Sequence, residues 1–435
     1  MNSMDRRDFL KLMGVVGLTT LVPWPRAKAR AQSLDPYDGP VFVTFAASGG
    51  WDPTSFCDPK MNVPGEPEIN RWSRTATTQT IDGSSIIYAP FANNAEFFSR
   101  FHSDMLVING IDTETNSHDV GVRNNWSGRV PPGYPSFSAL AASVFGQSLP
   151  LPYLTNAGYR ETAGLATYTE LTSARDLQDL VDPNRVPGRD RYYHDADEVA
   201  LIERYQRERT EDQMADTRSL PRQRHALANL ALARASRDQL QSLVLSLPTE
   251  LVDPVDKDGF RNPLLQQAQL ALVCCNAGLT VACDLEIGGF DTHQNHDAAH
   301  RAALMQLENG LAYLWDTAET LGLADRLVVV VASDFGRTPS YNGDSGKDHW
   351  PVSSALIMKR GAPWANRVVG ATDDGHNALS VDAQTLAASS GAGAIRLRPA
   401  HVHAALRRLA GIDDHPNARR YPLEADSIDV FDGTL

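Results

Sequence analysis

The chain has 435 residues, 42% hydrophobic and 21% charged, with 31 Gly and 26 Pro. That is ample material for a large buried core, and it excludes a peptide, a coiled coil or a wholly disordered chain. Lys and Arg total 40 against 53 Asp and Glu, a net charge of −13; so acidic a chain repels phosphate backbones, which argues against a nucleic-acid partner.

Residues 5–31 read as an address and not as part of the fold. Asp5-Arg6-Arg7-Asp8-Phe9-Leu10-Lys11 carries a twin arginine, and Leu12 to Val22 is a short apolar run. Arg26, Lys28 and Arg30 form a second basic patch, and Ala29-Arg30-Ala31 fits a small-x-small cleavage site. This is the layout of a bacterial export signal, and the apolar run is too short to span a bilayer comfortably. Residues 1–31 are therefore expected to be a signal read by the twin-arginine export machinery, leaving a periplasmic or secreted protein. No later segment reads as a stable membrane span. Cys57, Cys274, Cys275 and Cys283 contain no C-x-x-C pair, which argues against a thiolate zinc site.

Residues 37–435 read as a single α/β domain. Pro40 to Ala46 is a short apolar, β-branched run ending in Ser48-Gly49-Gly50, and predicts a buried strand. Asp104 to Gly110, Leu279 to Ile287, Leu327 to Ala332 and Ser354 to Met358 predict four more. Helical patterns over Leu264 to Asn276 and Asp297 to Leu321 precede the runs at Leu279 and Leu327 respectively. Cys274 and Cys275 belong to the first of those patterns and are expected to be buried. Near-continuous apolar strands alternating with helices predict a mostly parallel central sheet covered on both faces. Between about 150 and 261 the composition turns polar, with helical spacing at Leu227 and Leu230 and then at Leu240, Leu243, Val244 and Leu247. A helical cap or insertion is expected there.

Four segments combine Gly, Asp and His where predicted strands end: Ser48-Gly49-Gly50-Trp51-Asp52-Pro53, Gly288 to His296, Ser333-Asp334-Phe335-Gly336-Arg337-Thr338-Pro339, and Asp348-His349-Trp350-Pro351. In open α/β sheets ligands bind beyond the carboxyl ends of the strands. Three of these acids lie just past a predicted strand, so the fold is expected to gather them into one cleft. Carboxylate oxygen with imidazole nitrogen suits zinc, manganese or iron better than magnesium alone. Arg337 and Arg123 offer guanidinium forks for a phosphate or sulfate, or structural salt bridges. Trp51 and Trp350 read as core packing, with a stacking wall for a sugar as the other use. His401 and His403 read as structural.

Together the four segments resemble the domain-of-unknown-function 1501 family, within the alkaline phosphatase and sulfatase superfamily. The resemblance runs from about Val41 to Leu409. It implies an alkaline-phosphatase-like fold and an exported hydrolase of phosphate or sulfate esters, acting on a small molecule or a glycan. It implies one or two divalent ions, zinc or manganese. Asp52 resembles the acid that holds one ion, and Asp291 with His293 or His296 the pair that holds the other. Asp334 resembles the carboxylate of a Ser-Asp-His-Gly element, but Phe335 stands where the ligand His is expected. Either His349 supplies that imidazole or one ion site is incomplete. The superfamily places its nucleophile at the start of the helix after the second strand, which points to Ser117, with Thr113 and Thr115 as rivals, and to Arg337 as an anion clamp. Cys57-Asp58-Pro59-Lys60-Met61 starts like a formylglycine motif but has Met where Arg is required. Phe335 and the choice of nucleophile also leave open a non-catalytic exported metal-binding or assembly protein on the same fold, or a metal-dependent mutase or transferase.

Overall fold

The structure is a computed structural model and describes residues 36–431 apart from 157, 171–181, 187–188, 190, 221–222, 225–226, 229, 232–233, 235–250, 427 and 429. The expected export signal over residues 1–31, and the helical spacing from Leu240 to Leu247, lie outside the described residues.

Among the described residues one sheet takes β1 (Val41–Ala47), β2 (Met105–Asp112), β3 (Tyr153–Thr155), β4 (Thr169–Glu170), β5 (Ala282–Ile287) and β6 (Leu327–Ser333). A separate antiparallel ribbon follows, β7 (Gly336–Arg337) with β8 (His349–Trp350), and the sheet resumes with β9 (Val352–Met358) and β10 (Arg367–Val369). The spatial order is β10-β2-β9-β6-β1-β5-β3-β4. Neighbours run parallel except at β9, which is antiparallel to both β2 and β6. A parallel return needs a crossover element, and no helix lies between Ser333 and Val352. The observed fold is thus the mostly parallel α/β architecture expected.

The apolar runs form strands because both faces of the sheet are covered. In β1, Val41, Val43, Phe45 and Ala47 enter one core, and Phe42 and Ala46 the other. In β6, Leu327, Val329 and Val331 alternate with Val328, Val330 and Ala332 in the same way. Each fully buried Val or Leu contributes about 1.5–3 kcal/mol. The longer helices among the described residues are α1 (Asn94–Phe101), α2 (His118–Ser127), α3 (Phe137–Phe145), α4 (Ala196–Ala215), α5 (Pro263–Asn276), α6 (His296–Thr320) and α7 (Pro399–Leu409). The first core takes Phe97, Phe98 and Phe101 of α1, Leu264 and Leu272 of α5, and Leu304, Leu307 and Leu311 of α6. Trp126 of α2, Leu140 of α3, and Leu406 and Leu409 of α7 fill the second. Cys274 and Cys275 are buried in α5, as read from the sequence, and all four cysteines are free.

The polar stretch expected to be helical from about 150 begins later. Tyr153–Thr155 and Thr169–Glu170 add strands to the sheet edge, three and two residues too short to show a period. Within α4 only Thr210 is buried. No helix among the described residues is long and apolar enough to cross a membrane.

Candidate metal centre

β6, β1 and β5 are adjacent and parallel, so their carboxyl ends deliver Asp334, Asp52 and Asp291 to one edge of the sheet. β2 feeds the same edge through a turn into α2, whose first residue is His118. Two glycines allow the close approach. Gly49 has φ +119°, and a Cβ there would lie 2.4 Å from the backbone N of Asp291. A Cβ on Gly121 would lie 2.6 Å from the carbonyl oxygen of Asp334, so only glycine lets α2 rest on the end of β6.

Three imidazoles converge there on one carboxylate oxygen. Asp291 Oδ1 lies 3.1 Å from His293 Nε2, 3.3 Å from His349 Nε2 and 3.6 Å from His118 Nε2. Each ring is held from behind by a group that only accepts: His118 Nδ1 by Asp334 Oδ2 at 2.7 Å, His293 Nδ1 by Asp348 Oδ1 at 2.8 Å, and His349 Nδ1 by the Asn116 carbonyl at 2.8 Å. The Nδ1 atoms must therefore carry the hydrogens, and in the neutral rings the three Nε2 atoms present lone pairs. His293 Nε2 and His349 Nε2 stand only 2.9 Å apart. Two lone pairs at that distance, beside a carboxylate, repel unless a proton or a metal cation lies among them. Ligating atoms of His118, Asp291 and His349 all fall within 4.8 Å of one another. Nitrogen and oxygen donors, with each outer imidazole nitrogen tied down, are what zinc or manganese sites use. The residues present fit a divalent ion.

The hydrogen bond to Asp334 raises the His118 pKa above its ordinary value. Burial would raise Asp291, but the Arg337 guanidinium and His349 hold it below the usual carboxylate range. Bonding to His293 lowers Asp348 in the same way. Arg337 has its side chain fully buried. It donates to the carbonyls of Gly49, Gly50 (2.8 Å) and Lys347 (3.0 Å) and to Asp291 Oδ1 (2.6 Å).

A second polar cluster lies inside. Asp52 Oδ2 accepts from Lys347 Nζ at 2.6 Å and lies 3.1 Å from His296 Nε2, all three side chains being inaccessible. Asp52 Oδ1 accepts from Thr54 N (3.0 Å) and Thr54 Oγ1 (2.7 Å). Burial opposes ionisation of Asp52, yet Lys347 and His296 hold its pKa well below the ordinary value. Burial lowers the pKa of His296 and, further, that of His300.

A family model described as "Protein of unknown function (DUF1501)" matches residues 45–416, a span that contains every residue of both clusters. The chain belongs to the DUF1501 family. Among curated proteins none matches the sequence. The DUF1501 chain is similar in structure to Ps i-CgsB in complex with k-i-k-neocarrahexaose, at 8% identity over 89% of this chain and 75% of that one, with a TM-score of 0.37. It is also similar to the PsFucS1 sulfatase from Pseudoalteromonas sp., at 12% identity over 87% and 69% of the two chains, TM-score 0.38. A third likeness is to alkaline phosphatase from the Antarctic bacterium TAB5, at 9% identity over 76% and 94%, TM-score 0.32.

The DUF1501 chain divides the six acids and imidazoles singled out from its sequence. Asp291, His293 and His349 meet at the open cluster. Asp52 and His296 are in the inner one, with Asp52 bonded to an ammonium. Asp334 touches the open cluster from behind, its carboxylate occupied by His118 and by Gly49 N (3.1 Å). The expected anion clamp, Arg337, is instead bound to three carbonyls and Asp291. Arg123 donates to the Val130 carbonyl (2.6 Å). Ser117 is the exposed N-cap of α2, and its side chain makes no capping bond. Phe335 is fully buried, its ring centroid 4.8 Å from His118 and 4.5 Å from His349. Trp51 packs in the core on Phe56. His118, Lys347 and the Asn116 carbonyl were missed. His118 sits beside Ser117, in a segment searched only for hydroxyls, and Lys347 immediately precedes the Asp-His-Trp-Pro segment.

Proposed function

We propose that this protein is a metal-dependent hydrolase of phosphate or sulfate esters, with its ion held by His118, Asp291 and His349 and with His293 beside them. One observation carries the reading: three imidazoles whose Nδ1 atoms are engaged by acceptors turn Nε2 toward the same carboxylate oxygen. A divalent ion bound there would offset charge developing on the ester oxygens and lower the pKa of an attacking hydroxyl.

The chain's own residues do the remaining work. Asp334 and Asn116 fix the rings of His118 and His349, and Arg337 fixes Asp291 and keeps it ionised. Ser117 stands between Asn116 and His118 with its hydroxyl exposed and uncommitted to the helix, and the reading gives it the attack on phosphorus or sulfur. The amino end of α2, a helix of ten residues, favours an anionic group beside it. Asp291 is 49% and His293 44% exposed, an opening that admits a small ester or the end of a glycan. Residues 1–31 are read as a twin-arginine export signal; Arg6→Lys with Arg7→Lys is expected to strand the uncleaved precursor in the cytoplasm.

The test is the metal content of the purified protein by inductively coupled plasma mass spectrometry. It is paired with hydrolysis of aryl phosphates, aryl sulfates and sulfated sugars in zinc and in manganese. The metal is expected to fall in His349→Ala, and hydrolysis to fall by at least ~100-fold in Asp291→Ala and Ser117→Ala. Stoichiometric metal with no turnover of any ester would instead favour a metal-binding protein without catalysis. No metal, even after reconstitution, would overturn the reading.

A further inference from the structure

We infer that the centre takes one metal ion, held at the open cluster, and that Asp52 is neutralised by the ammonium of Lys347, so that Asp52 and His296 are not metal ligands. This rests on the metal-dependent reading above and sets its stoichiometry.

Asp52 is saturated with donors. A carboxylate has about four lone-pair sites. Those of Asp52 face Lys347 Nζ (2.6 Å), Thr54 N (3.0 Å), Thr54 Oγ1 (2.7 Å) and His296 Nε2 (3.1 Å), with Ser55 Oγ a fifth donor at 3.4 Å. His296 is committed through both ring nitrogens, and His300 through Nε2 alone, its buried Nδ1 having no hydrogen-bond partner. His296 Nδ1 pairs with Thr292 Oγ1 at 2.7 Å, and His300 Nε2 accepts from the backbone N of Asp52 at 3.4 Å.

Lys347 is equally committed. Its Nζ donates to Asp52, to Thr54 Oγ1 (3.2 Å) and to Asn70 Oδ1 (3.3 Å), and it lies 5.3 Å from the centroid of the Tyr341 ring. All three of its hydrogens have acceptors, and its side chain has no exposed surface. A divalent ion on Asp52 would have to displace this ammonium or sit against it with no solvent to screen the repulsion, whereas Asp291, which also bonds a cation in Arg337, has its side chain 49% exposed. Backbone geometry holds the arrangement in place. The Lys347 carbonyl accepts from Arg337, which donates to Asp291. The next two residues, Asp348 and His349, belong to the open cluster. One segment thus places a built-in charge inside and ligands outside.

The experiment titrates metal-free full-length protein with zinc, and separately with manganese, by isothermal calorimetry, and checks bound metal after gel filtration. One ion per chain is expected. The variant Asp52→Asn with Lys347→Met removes both charges together and is expected to bind one ion with an affinity within about twofold of wild type, as for residues that do not touch it. Two ions per wild-type chain would overturn the inference and leave the hydrolase reading standing; no ion would overturn both. Loss of the ion from a double variant with wild-type circular dichroism would also overturn it, by putting Asp52 in the ligand set. The wild-type stoichiometry decides even where the double variant does not fold.

Discussion

Asp334 is the most direct lever on the proposed metal centre. Its side chain is 4% exposed, and Oδ2 accepts from both His118 Nδ1 (2.7 Å) and Gly49 N (3.1 Å). Asp334→Asn leaves an oxygen for the imidazole hydrogen but removes the charge. Asp334→Ala removes both and frees the His118 ring to turn. Outer partners of ligating imidazoles are typically worth 10- to 100-fold in metal affinity. The Asn variant is therefore expected to bind zinc about 10-fold more weakly and the Ala variant about 100-fold, or ~1.4 and ~2.7 kcal/mol. The pH dependence adds a sign. Bonding to Asp334 raises the His118 pKa in the metal-free protein above its ordinary 6.5. That pair stabilises the metal-free fold below the ordinary value and ceases to do so as pH rises through the raised one. Without Asp334 the ring sheds its proton at lower pH, so half-maximal metal binding moves down in pH while affinity at high pH falls. Competition against a chromophoric chelator across pH 5 to 9 reads both effects. A folded Asp334→Ala with wild-type affinity and an unmoved midpoint would refute the orientation of His118 by Asp334.

Three further outcomes follow from buried groups. Burial pushes the Asp284 carboxyl from 3.8 up to about 6, with hydroxyls of Ser138, Thr44 and Tyr153 offsetting part of the rise. The fold is thus expected to lose roughly 3 kcal/mol as pH climbs from about 4 to about 6; Asp284→Asn should abolish that fall in urea unfolding, and an unchanged slope would count against it. Lys347→Met leaves the Asp52 carboxylate buried without its ammonium, at a cost of about 3–5 kcal/mol. Adding Asp52→Asn should recover most of the loss, and calorimetric melting that ranks the double variant below the single one would contradict this. Arg337→Lys cannot reproduce a fork that reaches three carbonyls and a carboxylate. At least two buried acceptors lose a donor, about 1–3 kcal/mol each, and amide exchange at Gly49 and Trp51 should quicken; wild-type exchange would argue that the fork is dispensable.

Much of the fold was legible because its central strands are buried on both faces and appear as unbroken apolar runs. β1, β2, β5, β6 and β9 all overlap the runs read as strands, and α5 and α6 the helical spacings. A run of that kind carries no direction, which is why the reversal at β9 was not foreseen. β3 and β4 are too short for any period to show. At the site, Asp291, His293 and His349 were legible as ligand types placed after strands. What no spacing disclosed was which oxygen each donor would claim. Asp52 and Asp334 look alike as acids following strands, yet one is neutralised inside by Lys347 and the other orients His118. Arg337 looked like an anion clamp, but burial turns its fork onto backbone carbonyls. Such assignments depend on contacts as distant in the chain as Asp334 with His118, 216 positions apart, and Asp52 with Lys347, 295 apart, which local pattern does not encode.

The residues from Lys347 to His349 have a consequence for when the ion is acquired. Lys347 reaches its place only as the interior closes around Asp52, and His349 is carried into position by the same short stretch of backbone. An unfolded chain therefore holds no preformed cage, and capture of the proposed ion would be gated by completion of the tertiary structure. If the proposed ion is bound and residues 1–31 send an already folded protein across a membrane, the choice of ion would be made on the side where the chain was synthesised, from the metals buffered there, and would travel outward with the cargo.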